Sequence, residues 1–352
     1  MKYIKEHFKY IPPLEIILNK EAYERGEPKD VIHYIPVTKS FQLLIEDKSF
    51  NDVMRKERDN VEKNIGVLKD FTDGSAFKEN VFFKNNPGAY AGQFYSDSVE
   101  LANPLGAAKG KHKINQVFWT LAQIPRNQRS KIDRMQLCMV YKDHLVKKYG
   151  YKVIFSTLIE DLKRLEEGII VTVPIQRKVQ LGLLAYSADN LEAHNLGGYS
   201  CCFSSKDVCR FCHASYNDLQ THIHDYDSDR PHEYWTMKQY DDICDTLEKD
   251  DEEPSIETIV SEGNLFNEGD LQESDGEEDD TSLVDSDEEE VEDSEISGES
   301  DMNTFGLRKR CPLNQLAAFH AVTGLPPDVM HDLMEGVISQ VRVIEDSKLT
   351  SV

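Results

Sequence analysis

Apolar and polar residues alternate with a period of two in three stretches of the chain, which is the pattern of half-buried β-strands. Residues 93–101 and residues 114–122 predict two strands, separated by the turn residues 103–106 and a basic loop at 109–113. Residues 178–187 predict another strand. Its odd positions are apolar and predict one buried face: Val179, Leu181, Leu183 and Ala185.

Helical patterns lie between the second and the last of these strands. Residues 132–149 predict a helix that stops at Gly150. Thr157 and Glu160 have the spacing of a capping box and predict the start of a second helix, closed by Gly168. Its apolar stripe is Leu158, Leu162 and Leu165. A short apolar run follows at 169–173. Strands followed by helices and a further strand predict a mixed α/β domain.

The distribution of charge, together with the apolar patterns, predicts four segments along the chain. The stretch from Asp245 to Asp301 holds 26 acidic residues and one base, whereas the whole chain has a net charge of −24, so the remainder is close to neutral. Such a composition predicts a disordered acidic insert over 241–303. We expect a helical lead-in at 1–70, the first part of the core at 71–240 and a resumed core segment at 304–352 that looks truncated.

Several classes of protein are disfavoured by the same reading. The longest apolar runs are far shorter than the roughly 20 residues of a membrane helix, and the first residues, MKYIKEHFKYIPP, lack the apolar region of a signal peptide. Seven cysteines, an odd number, favour a reducing compartment. We therefore expect a soluble intracellular protein without a membrane partner.

Two aspartates occupy positions that share the parity of the apolar residues in the predicted strands. Asp97 shares its parity with Tyr95 and Val99, and Asp189 shares its parity with the apolar positions of the last strand. A carboxylate on a core-facing row costs several kcal/mol unless it is paired or metal-bound, so the two acids predict a divalent-cation site if their strands are neighbours. The alternative is that each aspartate forms a turn or caps a helix.

Cys209 and Cys212 form the only Cys-x-x-Cys of the chain. Structural zinc needs four ligands, so this pair supplies half of a site. The other candidate ligands are all histidines: His213, His222, His224 and His331. Two free thiols in a turn, or a redox pair, are the alternatives.

Basic residues are a weaker signal. Candidates for a phosphate-facing surface lie at 109–113 and 126–134, although such residues are often only solvated loop and helix faces. The chain has no Walker-type loop, no G-x-G-x-x-G and no nucleophile elbow, so it offers no starting point for nucleotide binding or for Ser-His-Asp catalysis.

Four phrases together resemble the CACTA (En/Spm-like) transposases of the DDE class, which transposons of animal genomes encode. They are FTDGSAFKENVFF, QFYSDSVELANPLGAAKGKHK, LLAYSADNLEAHNLGGY followed by CRFC, and TGLPPDVMHDLMEGV. The resemblance implies a ribonuclease H-like core with one catalytic acid on its first strand and another just after its fourth. Asp97 and Asp189 match these two, and Glu335 is the nearest candidate for the third.

The resemblance also implies cofactors, partners and a location. Mg²⁺ is expected at the catalytic acids, and Zn²⁺ is expected at Cys209, Cys212, Asp328 and His331. The expected partner is DNA in the nucleus, with basic proteins as possible partners of the acidic insert. The expected function is metal-dependent DNA strand cleavage and transfer, in a core whose third acid has no firm match. The alternative is a non-catalytic, zinc-stabilised nuclear module that binds DNA or protein.

Overall fold

The fold is built on a mixed β-sheet with helices on its faces. A computed structural model describes residues 10–48, 50–52, 68–100, 113–172, 175–201, 209–213, 233–252 and 306–328. In this part of the chain a six-stranded sheet has the order β1-β2-β5-β4-β3-β8. Neighbouring strands are antiparallel except β3 and β8, which are parallel. The predicted mixed α/β class is therefore confirmed.

The strands of this sheet come from both the first and the last parts of the folded sequence. They are β1 (Leu14–Ile17), β2 (Val31–Tyr34), β3 (Tyr90–Glu100), β4 (Lys113–Leu121), β5 (Gln136–Lys142) and β8 (Leu181–Ser187). A separate hairpin is formed by β6 (Ile169–Val171) and β7 (Arg177–Val179). The predicted strands at 93–101 and 114–122 correspond to β3 and β4. The predicted strand at 178–187 is split at Gln180 between two sheets.

The helices pack on both faces of the sheet. They are α1 (Lys20–Glu24), α2 (Val37–Glu46), α3 (Ser75–Glu79), α4 (Val81–Asn85), α5 (Arg126–Arg129), α6 (His144–Ile154), α7 (Ser156–Glu167), α8 (Asn190–Gly197), α9 (Met237–Glu252) and α10 (Ala321–Gly324). Short 3₁₀ turns lie at Phe71–Asp73 and Pro312–Gln315. The main core joins α2, α6 and α7 to one sheet face, and the predicted leucine stripe of α7 is buried in it.

One boundary predicted from periodicity is wrong. The helix predicted over 132–149 begins only at His144, because residues 136–142 form β5, whose Cys138 and Met139 are fully buried. Gly150 interrupts the helix as predicted, because its φ of 72° and ψ of 159° are not helical, and a further helical turn follows up to Ile154.

The lead-in also differs from the expectation. The segment predicted as helical contains β1 and β2, which extend the sheet beyond β5. Tyr34, at the end of β2, donates a hydrogen bond to the buried carboxylate of Asp161 on α7 at 2.7 Å. These contacts make residues 14–46 part of the same layer structure as the core.

The segment 306–328 returns to the core after the acidic stretch. Glu166 on α7 accepts hydrogen bonds from the backbone N–H groups of Ala317 (2.9 Å) and Ala318 (2.8 Å). Gly198 has φ 76°, and a Cβ there would meet the Lys309 carbonyl oxygen at 1.8 Å, so only glycine lets the returning chain approach this closely.

Helix α9 corrects the proposed start of the disordered insert. Residues 241–252 continue α9, and Tyr240 and Cys244 on this helix are buried. The Tyr240 hydroxyl donates to the Gly197 carbonyl at 2.7 Å and accepts from the Cys311 N–H at 2.8 Å. The rest of the predicted insert lies outside the described residues.

No helix of the described ranges combines the length and the apolar character needed to cross a membrane.

Candidate functional site

The parallel pairing of β3 and β8 sets the position of the two candidate aspartates. The last paired residues are Tyr95 and Ser187. Asp97 and Asp189 each lie two residues further along, so the register brings them to corresponding positions at the same edge of the sheet. Neighbouring strands run about 4.8 Å apart. The sequence-predicted juxtaposition of the two acids is therefore consistent with the strand register.

Asp97 does not face the main core, which corrects the parity argument for this residue. Asp97 is exposed, and the core side of β3 carries Phe94 and the small Ser96. On β8 a register shift occurs where Gly92 pairs with Leu183 and Gln93 pairs with Ala185, so Leu184 is skipped. Beyond that bulge the odd positions of β8 turn away from the main core. Asp189 follows the strand and is half-buried.

Asp189 is fixed by the start of α8. It is the N-cap residue, and its Oδ1 accepts a hydrogen bond from the Glu192 N–H at 2.7 Å. Burial, together with the neighbouring Asp189 carboxylate, raises the pKa of Glu192 to about 7. Glu192 Oε1 is buried without a hydrogen-bond partner among the described residues. The cap interpretation and the site interpretation of Asp189 are thus compatible with each other.

Tyr95 identifies a further carboxylate at this edge. Burial raises the pKa of Tyr95 to about 12, and the negative charges of Asp97 and Asp328 contribute to the rise. Asp328 therefore lies within electrostatic reach of the same phenol as Asp97. The resemblance had assigned Asp328 to zinc. The third catalytic candidate, Glu335, and the proposed zinc ligand His331 lie outside the described residues.

A cavity of about 600 Å³ opens beside these acids. Its walls include Tyr95 on β3, Ser187 on β8 and Pro326 after α10. Asp97, Asp189 and Asp328 each follow one of these three residues at a distance of two positions. The remaining lining is mainly apolar and aromatic, with two arginines: Phe71, Gly74, Ala76, Phe77, Gln93, Phe94, Phe118, Trp119, Thr120, Arg126, Arg129, Ser130, Met135, Leu184, Ala185 and Thr323.

Some of the basic residues predicted to form a phosphate-facing surface make contacts within the protein. Arg129 forms an ion pair with Asp70 at 2.9 Å, and Arg126 donates to the Lys69 carbonyl. Lys131 and Arg134 lie in the loop that follows α5. Of the predicted loop at 109–113, only the exposed Lys113 is described.

Cys209 and Cys212 lie in a turn that is anchored to residues 233–235. The Phe211 N–H donates to Cys209 Sγ at 3.4 Å, and Cys212 forms a β-bridge with Tyr234. Trp235 donates from its indole Nε1 to the Cys209 carbonyl at 3.1 Å. These contacts fix the backbone of the turn that carries the two cysteines.

The described part of the chain contains no group of three or more His, Cys, Asp or Glu side chains that could hold a metal ion. Three of the four expected zinc ligands, Cys209, Cys212 and Asp328, are described, and they do not form such a group. For Mg²⁺, carboxylates are the right donors, and the register brings two of them to one edge of the sheet.

Two residues of this region were missed by the sequence reasoning. Glu192 was hidden because a glutamate in the first turn of a helix is ordinary. Arg210 lies inside the Cys-x-x-Cys and is 4% exposed, with Nη1 2.6 Å from Asn190 Oδ1. Neither has a signal in local periodicity.

The sequence matches no protein-family model and no curated protein.

Proposed function

We propose that the chain is a transposase-derived protein with the core of a DDE-type DNA strand cleavage and transfer enzyme. The proposal rests on one observation above all. Asp97 on β3 and Asp189 directly after β8 lie at the same edge of the sheet, on two strands that pair in parallel. This is the placement that the resemblance to CACTA transposases implies for the first two catalytic acids.

The strand order supports a ribonuclease H-like interpretation of the sheet. Strands β3, β4 and β5 form an antiparallel series, and β8 joins β3 on the other side after two helices. With β3 as the first strand of the core, β8 is the fourth. Strands β1 and β2 are then additions at the β5 edge.

The acidic residues would hold Mg²⁺, and Asp97 and Asp189 are the candidate ligands. When bound, these ions supply the activation of water, or of a DNA 3′-hydroxyl, for in-line attack on a phosphate. The chain's own contribution is to hold the two carboxylates in position to bind the ions. The N-cap bond fixes Asp189, and Asp97 is exposed, so DNA could reach it. Nuclear location and a zinc-stabilised Cys-x-x-Cys element belong to the same proposal.

A Mg²⁺-dependent DNA cleavage assay tests the proposal. Wild-type protein should nick or cleave DNA in Mg²⁺ but not in EDTA, and the Asp97→Ala variant should lose this activity. Asp133→Ala is the matched control, because Asp133 is an exposed aspartate that is not a candidate metal ligand. Equal cleavage by wild type and Asp97→Ala would contradict the proposal.

The second candidate is a non-catalytic nuclear module that binds DNA or protein. It requires no third catalytic acid, and the candidate for that acid, Glu335, lies outside the described residues. In that case the wild-type protein binds DNA without cleaving it under any divalent cation, and Asp97→Ala binds equally well.

A further inference from the structure

The one arginine between the two cysteines connects the Cys-x-x-Cys turn to the acidic edge of the sheet. We propose that Arg210 is a positioning residue of the acidic site, which holds together the two chain segments that carry Asp189 and Asp328. This inference rests on the proposed function, because it assigns Arg210 to the cation site formed with Asp97.

The first contact of Arg210 is with the start of α8. Its Nη1 donates to Asn190 Oδ1 at 2.6 Å, and Asn190 directly follows Asp189. The Asn190 carbonyl lies 2.7 Å from His194 Nδ1, within the same helix. The Asp189 carboxylate is held by the Glu192 N–H, so the guanidinium fixes the segment on whose geometry that cap depends.

The second contact reaches the segment that follows α10. Arg210 Nη2 donates to the Pro326 carbonyl at 3.3 Å, and Pro326 precedes Asp328 by two residues. Pro326 lines the same cavity as Tyr95. The pKa of Tyr95 is raised by the charges of both Asp97 and Asp328, which agrees with Asp328 approaching this edge.

The guanidinium is itself held in one orientation. Arg210 is 4% exposed, and its Cζ lies 4.4 Å from the centre of the Phe211 ring. The turn that carries it is tied to Trp235 through the Cys209 carbonyl. A planar fork with two nitrogens aimed at different segments is a geometry that arginine provides and lysine does not.

A metal ion bound by Cys209 and Cys212 would fix the turn from the other side. The Cys-x-x-Cys element would then act on the acidic site through Arg210 and not only on the stability of the fold.

The test measures Mn²⁺ binding to the full chain by electron paramagnetic resonance, with displacement by excess Mg²⁺. Asp97→Asn and Asp189→Asn define the site and should weaken Mn²⁺ binding. Arg210→Met, which keeps the length of the side chain without the fork, should raise the Mn²⁺ dissociation constant by about tenfold or more, as loss of about 1.4 kcal/mol does. Arg210→Lys keeps a donor that can reach only one of the two segments, and it should recover part of that loss.

The control is Arg310→Met. Arg310 also anchors the 306–328 segment, but through α9, so this variant should lower stability and leave the Mn²⁺ dissociation constant unchanged. Wild-type Mn²⁺ affinity in folded Arg210→Met overturns the inference while leaving the acidic site intact. If Arg210→Met does not fold, wild-type affinity in Arg210→Lys overturns it equally. If Asp97→Asn and Asp189→Asn bind Mn²⁺ as wild type does, the proposed function itself fails.

Discussion

Glu192 holds its proton at a pH where an exposed glutamate has lost it. Its pKa is about 7 because the side chain is buried and the Asp189 carboxylate is near. The hydroxyl groups of Ser96 and Tyr151 act in the opposite direction and lower the pKa, but burial outweighs them. Ionisation of Glu192 in the folded protein therefore costs free energy.

This environment predicts a pH dependence of stability. The folded protein binds a proton that the unfolded chain releases between about pH 4.5 and pH 7, so the free energy of unfolding falls as the pH rises through this window. Glu192→Gln removes the cost and should be more stable than wild type at pH 8, by up to about 3 kcal/mol, with no gain at pH 4. Urea unfolding at the two pH values measures this.

The exposed Glu79→Gln variant is the control and should change stability little at either pH. A Glu192→Gln variant that is no more stable than wild type at pH 8 would show that Glu192 is ionised without cost in the folded protein.

At the scale of elements, α9 and the returning segment are joined by one arginine. Arg310 pairs with Asp241 (2.7 Å), Glu248 (3.0 Å) and Asp245, which lie on one side of α9. The acids are 42–59% exposed and the arginine is 25% exposed, so each pair is partly screened by solvent. The network still makes the first turns of the acidic stretch a structural partner of the core.

Arg310→Met should lower the free energy of unfolding by about 1 kcal/mol at low salt. The effect should shrink in 1 M NaCl, because the Debye length falls to about 3 Å there. Thermal unfolding at both salt concentrations measures it. Arg25→Met serves as control, since the Arg25–Glu27 pair is exposed and 3.7 Å apart. An equal loss of stability at both salt concentrations would mean that packing, and not charge, is what Arg310 contributes.

The sequence predicted those elements whose burial pattern is regular. Strands β3 and β4 and helix α7 follow simple periods, and the structure contains them. Strand β5 was read as helix because the run from Gln136 to Lys142 has no alternation and leads directly into α6. Strands β1 and β2 have four residues each, which is too short for a period to be visible. Whether such a segment forms a strand depends on its pairing with distant strands, and no local sequence pattern shows that pairing.

The sequence identified individual residues of the site but not how the fold arranges them in space. Asp97 and Asp189 were recognisable as acids near strand ends, and the strand register then brings them to the same edge of the sheet. The facing of Asp97 was misjudged because the core side of β3 includes the small residues Gly92 and Ser96. The bulge at Leu184 also reverses the parity of β8 before Asp189. Asp328 and Arg210 come from segments more than 100 residues apart, and only the folded chain shows their connection to the site.

At the scale of the whole molecule, the end of α9 sets where the acidic stretch can be removed. Replacing residues 253–304 by a short Gly-Ser linker should leave the Tm nearly unchanged, because that stretch is too acidic to contribute a core. Deleting 245–301 should lower the Tm, because Arg310 then loses Asp245 and Glu248. Calorimetry of the two deletions compares them directly. Equal Tm values in both would contradict the structural role of α9.

Zinc is the remaining expectation at this scale. Purified full-length protein should contain one zinc per chain, and a Cys209→Ser, His331→Ala double variant should lose it. Cys201→Ser is the control, because Cys201 is a half-buried free cysteine outside the pair, and it should retain the metal. Metal-free wild-type protein that folds normally would refute the zinc site.

The anchoring of residues 306–328 has a consequence for how the protein can be assembled. Glu166, Gly198 and Tyr240 contact this segment from three different places in the fold, and all three residues precede the acidic stretch. Covalent continuity across that stretch is therefore not what keeps the segment in place. Two polypeptides, residues 1–252 and 306–352, should associate when they are produced together, so that a protease cut between them leaves a working split protein.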